Sequence, residues 1–152
     1  MIFFDKAIKF LEANAHSDPN VANILANIAN AYLFLGDYDK ATTLAERAVK
    51  IFELTPPKNK YEQANAYSVY GNTLLWTKKF DEAEPNFFAA AKILEELAPE
   101  GSIEFAKVHI DLGQLYLFFE DSAPGEKFLL KAIAMQVSPK TLITSTARRN
   151  SS

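Results

Sequence analysis

The feature that most narrows what this chain can fold into is a self-match at a shift of 42 residues. Three segments align: LGDYDKATTLAERAVKIFEL from Leu35, TKKFDEAEPNFFAAAKILEEL from Thr77 and FEDSAPGEKFLLKAIAMQVS from Phe119. Tyr38, Phe80 and Ser122 correspond, as do Ala41, Ala83 and Gly125, and then Ala48, Ala90 and Ala132. The stretches before them match as well, Ala22 to Phe34, Ala64 to Trp76 and Ala106 to Phe118, with Ala29, Gly71 and Gly113 in register. Apolar residues recur at helical spacing and the alternation expected of strands is missing, so each unit reads as two helices. The opening FFDKAIKFLEA matches LGDYDKATTLAER at a shift of 34, Phe4 on Tyr38 and Ala7 on Ala41, so the chain starts on a second helix.

These shifts predict seven helices, near 4–16, 21–35, 39–54, 60–77, 81–97, 103–119 and 124–137. They group as a second half-unit over 1–17 and units over about 22–55, 64–97 and 106–138, followed by an irregular tail at 139–152 that is rich in serine and threonine. Asp18 before Pro19 makes an N-cap and a first-turn proline, and Ser102 serves the sixth helix in the same way. The prolines are expected between the periodic segments, as Pro56, Pro57, Pro99 and Pro139 are. With 49% of its 152 residues hydrophobic, the chain has material for one ordinary core. A two-helix unit cannot hide its apolar face alone. The expected fold class is therefore all-α, antiparallel helix pairs stacked into a curling solenoid whose first helices line the hollow side.

Several residues carry a family resemblance. Tyr67, Tyr70, Gly71 and Leu74, then Phe80, Ala83, Phe87 and Ala90, mark the middle unit; Leu25, Ile28, Ala29, Tyr32, Gly36, Tyr38, Ala41 and Ala48 mark the one before. In the last unit Leu112, Gly113, Tyr116, Leu129 and Ala132 fit, whereas Ser122 stands where an aromatic is usual and Gly125 where alanine is. Over residues 1–138 the chain resembles the tetratricopeptide repeats, and among them the 42-residue variety of kinesin light chains and related bacterial proteins. The resemblance implies a right-handed superhelix of helix pairs. It also implies a protein-binding module with no catalytic residues and no cofactor.

Asn23, Asn27 and Asn30 share one stripe of their helix, at i, i+4 and i+7. Shifted by 42, Asn23 becomes Asn65 and Lys107, Asn27 becomes Val69 and Asp111, and Asn30 becomes Asn72 and Gln114. Leu25, Ile28 and Tyr32 lie off this stripe and are expected to pack inward. Five asparagines in such places cost the helices on the order of 2–3 kcal/mol relative to alanine. Their use, as the resemblance implies, is to hold the main chain of a bound peptide, since an amide offers donors and an acceptor without demanding a particular side chain. The neighbouring Leu33 and Phe34, Leu75 and Trp76, and Leu117 and Phe118 are the candidate apolar anchors. Ala26 and Asp111 stand where a carboxylate clamp needs basic residues, so a full clamp is not expected. The alternatives are amides that are merely solvated or bridge neighbouring helices, a scaffold joining copies or neighbouring domains through end faces around Phe3, Phe4 and the last helix, and a regulatory domain that senses a peptide.

Other chemistry is poorly supplied. Cysteine is absent, which removes disulfides, thiolate metal sites and cysteine nucleophiles. Sixteen Lys and Arg against 19 Asp and Glu give a net charge of -3, with no general attraction for nucleic acid. Arg148 and Arg149 are too few to change that. MIFF stops at Asp5, far short of a signal-peptide core or a membrane span, so a cytoplasmic chain is expected. His109 occupies the core slot of Leu25 and Tyr67; His16 suits the end of the first helix. Two separated histidines do not make a metal site.

Overall fold

The computed structural model describes residues 2–14, 17–99 and 101–118, together with Leu130 and Ile133. Among the described residues the fold is all-α, with six helices in order: α1 (Ile2–Asn14), α2 (Pro19–Leu35), α3 (Tyr38–Leu54), α4 (Lys60–Trp76), α5 (Phe80–Leu97) and α6 (Ile103–Phe118). Each lies within two residues of its expected span. The expected seventh helix falls outside the described residues except for Leu130 and Ile133, both helical, and the tail from 139 falls wholly outside them, as does His16. The chain divides into two compact units, Met1–Ile93 and Leu94–Ser152.

In the first unit, local chemistry sets the helix ends. Asp18 Oδ1 accepts the Asn20 N–H at 2.8 Å while Pro19 opens α2, as its sequence suggests. α2 stops at Gly36, whose φ of 80° lets Asp37 N–H reach back to the Tyr32 carbonyl at 3.0 Å. One repeat later the same turn is built around Lys78 at φ 63°, with Lys79 N–H on the Leu74 carbonyl at 2.8 Å. Asp37 caps α3 through the Lys40 N–H, and Asn59 caps α4 through the Tyr61 N–H. One expectation fails: Pro85 lies inside α5 rather than between helices.

Packing follows the repeat. α2 and α3 form an antiparallel hairpin, α4 packs on both, and α1 packs on α2. Leu25, Tyr32, Phe52 and Leu74 are almost wholly buried, and Ala22, Ala26, Ala29, Ala41, Ala45 and Ala48 are buried where backbones come close. Gly71 shows how close: a Cβ there would stand 2.7 Å from the ring of Phe87 on α5. Buried Thr73 settles its hydroxyl on the Tyr70 carbonyl at 2.8 Å.

In the second unit, α6 starts with the Ser102 hydroxyl accepting the Phe105 N–H, at 3.1 Å. Phe105, Val108, Leu112 and Leu115 are buried. His109 is buried with them, its Nδ1 2.9 Å from the Phe105 carbonyl and its ring tilted on that of Phe105, which is the packed role its sequence position suggests.

Candidate functional site

Burial sorts the residues of the three first helices, α2, α4 and α6. On α2, Val21, Ala22, Leu25, Ala26, Ile28, Ala29 and Tyr32 face the core. At 100° per residue, Asn23, Asn27, Asn30 and Phe34 fall together on the opposite side. Asn27 and Phe34 are exposed, and Asn23 and Asn30 are half-buried. On α4 the core covers more of the circumference, because Ala64, Gly71, Leu74 and Leu75 are buried on one flank and Ala66, Val69 and Thr73 on the other. A narrow strip stays open between them: Tyr61, Asn65, Asn72 and Trp76, at i, i+4, i+11 and i+15. Asn72 alone of the four is neither exposed nor buried. Because α4 packs on α2, the two strips belong to neighbouring helices, and Asn65, Asn72 and Trp76 repeat Asn23, Asn30 and Phe34.

The second unit carries the same strip on α6. Ile103, Lys107, Gln114 and Phe118 are exposed, and Asp111 is half-buried.

Two details correct the expected site. Leu75 is only 2% exposed and belongs to the core, so it offers no anchor to a ligand; Leu33 is half-buried against the same core. Asn27 is exposed but has no polar counterpart on α4, since Val69 in its place there is 5% exposed and packed in. Ala26, where a clamp would need a cation, is fully buried.

The strip's chemistry is amide and aromatic. Among the described residues the side-chain amides of Asn23, Asn27, Asn30 and Asn65 meet no protein partner. Asn72 donates one amide proton to the Ser68 carbonyl at 3.0 Å, the backbonding by which a short amide settles in a helix. Phe34 is 86% exposed at the end of α2. Trp76, 52% exposed at the end of α4, lies flat against Tyr38 at the start of α3, with ring centroids 6.2 Å apart and planes within 8°. One face of the indole is therefore held in place. The stack had no signal in the sequence beyond two aromatics, because their helices meet only once the hairpins are stacked.

Residues 21–55 match the family model described as tetratricopeptide repeat, covering α2 and α3. The chain carries a tetratricopeptide-type repeat region. The crystal structure of BtubC (BKLC) from P. vanneervenii is similar to the chain with a TM-score of 0.72 at 26% identity, over 78% of this chain and 47% of that one. The chain thus spans about half the length of that protein. No curated protein matches it. A helical solenoid of this kind is consistent with a general protein- or peptide-binding module. Among the described residues no three His, Cys, Asp or Glu side chains converge on a metal position, and no helix is long and apolar enough to cross a membrane.

Proposed function

We propose that the protein docks an extended peptide or partner segment across its first helices, in the cytoplasm. Asn23, Asn30, Asn65 and Asn72 read its main chain, joined by Asn27 on the edge of the strip. Phe34 and Trp76 anchor apolar side chains, and Lys107, Gln114 and Phe118 are the corresponding positions on α6 of the second unit. The observation that carries this reading is the repetition of one amide–amide–aromatic strip on α2 and α4, open on helices whose other positions are largely buried. The amides of Asn23, Asn27, Asn30 and Asn65, which meet no partner among the described residues, have donors and acceptors to give, and a tryptophan already stacked on Tyr38 loses little freedom on binding. The 42-residue period is what supports placing the chain with the kinesin-light-chain-like repeats.

The test is a peptide array, with binding of selected peptides then measured on the wild type and on the double variant Asn30→Ala, Asn72→Ala. The double variant is expected to lose more than about 1 kcal/mol of affinity while its melting temperature holds. Unchanged affinity at retained stability rejects the proposal.

A second reading rests on α1, where Ile2, Phe3 and Phe10 are 68%, 86% and 67% exposed. On this reading the protein is a scaffold that associates through that face. Light scattering across a concentration series separates the two, because a strict monomer leaves α1 without this role.

A further inference from the structure

A pocket of about 350 Å³ opens between α1 and α3, and none of the strip residues line it. Its walls are Asp5 and Ile8 from α1, and Asp39, Lys40, Thr43 and Leu44 from α3. This is the lower end of ligand-pocket sizes, roughly 300–1,000 Å³, and suits one long side chain rather than a cofactor. Leu44 is buried and Ile8 half-buried, which makes an apolar floor, while Asp5 and Asp39 are exposed.

Among the described lining residues two carboxylates, Asp5 and Asp39, stand against one cation, Lys40. Its ammonium is engaged 3.9 Å from Asp37 and 5.3 Å from the centre of the Tyr32 ring. Asp5 uses Oδ1 to accept the Tyr32 hydroxyl at 3.0 Å. The Asp39 side chain meets no protein partner among the described residues. Apolar floor and anionic walls together are the complement of a side chain with a hydrocarbon stem and a cationic head.

We propose that this pocket receives an arginine side chain from a partner protein. The guanidinium presents donors on two edges and so serves two carboxylates at once, where an ammonium is a single point charge. Its stem lies on Ile8 and Leu44. The pocket is separate from the first-helix strip, so the partner engages the protein on a second surface, and the proposal stands whether or not the strip binds peptide.

The experiment titrates the isotope-labelled protein with Nα-acetyl-arginine amide and, in parallel, with Nα-acetyl-citrulline amide, its uncharged isostere, at low ionic strength. The arginine probe is expected to shift the amide resonances of Ile8, Thr43 and Leu44 saturably, and the citrulline probe to bind at least about fivefold more weakly, the size of one charge-assisted hydrogen bond. Asp39→Asn is expected to weaken the arginine probe by about the same factor, and Lys40→Ala, which removes the competing cation, to tighten it. A variant that merely damaged the fold could not tighten binding. Equal response to both probes, shifts scattered over the surface, or indifference to Asp39→Asn overturns the proposal. The double variant Asn30→Ala, Asn72→Ala is expected to bind the arginine probe as the wild type does, which keeps this result distinct from that of the peptide array.

Discussion

Lys78 holds a backbone conformation that a side chain disfavours. Its φ of 63° ends α4 in the turn that Gly36 provides, 42 residues earlier, at the end of α2. A left-handed residue with a Cβ costs about 1 kcal/mol that glycine avoids. Lys78→Gly is therefore expected to stabilise the protein by roughly 0.5–1 kcal/mol, read as a higher urea midpoint at unchanged slope. Tyr32 sets a pH limit. Its phenol pKa is raised above the ordinary 10.0 first by burial, then by its hydrogen bond to Asp5 and by the negative charges of Asp5 and Asp37. A phenol that holds its proton more tightly when folded leaves stability intact below the unfolded value. That contribution is lost as pH rises from about 10 through the higher folded value, because the unfolded chain then binds fewer protons. Tyr32→Phe should lose about 0.5–1.5 kcal/mol at neutral pH with the hydrogen bond to Asp5, yet show a smaller further loss in alkaline buffer. Denaturant titrations at neutral and alkaline pH check both signs.

At the scale of the element, α4 explains what could and could not be read in advance. Its place in the repeat fixed the span and the two asparagines, since a 42-residue shift needs no knowledge of neighbours. Leu75 was misread for want of that knowledge. It sits one residue before Trp76, hence 100° round the helix, and with buried flanks on both sides of α4 that rotation carries it from the open strip into the core. The buried positions of α2 cover less of its circumference, so its counterpart Leu33 is only half-buried and Asn27 stays exposed where Val69 does not. The caps at Asp18 and Ser102 were legible because Asp-Pro and Gly-Ser mark a start, and Gly36 before Asp37 offers a like signal; Asn59, between two lysines, emerges as a cap only from geometry. Pro85 goes against its own local rule: at the sixth position of α5 it gives up one intrahelical hydrogen bond, and the helix runs on through it. The crossing of α4 and α5 carries the sharpest prediction. Gly71→Ala puts a methyl 2.7 Å from a ring that is itself fully buried, so that neither side can yield. We expect a loss of about 1–3 kcal/mol in thermal unfolding, recovered in part by Phe87→Leu in the same chain.

Across the molecule, the two units Met1–Ile93 and Leu94–Ser152 each carry a first-helix strip, and stability within the first is spread unevenly. The most fully buried large side chains there belong to α2, α3, α4 and α5, whereas Ala7, Ile8 and Leu11 of α1 are only partly covered. In stacked repeats, where each unit depends on its neighbours, the least covered helix opens first. Hydrogen exchange is expected to be slowest in the middle turns of α2, α3 and α4 and fastest, among helical amides of this unit, in α1. Equal protection of α1 and α3 would show that partial burial does not set the order. The sequence contains one tryptophan, and it stands on the strip with one face against Tyr38 and roughly half its surface in water. The protein thus brings its own optical reporter. Any molecule that settles over the end of α4 must dry that indole or disturb its stack, and either event alters ultraviolet emission with no dye, tag or engineered probe.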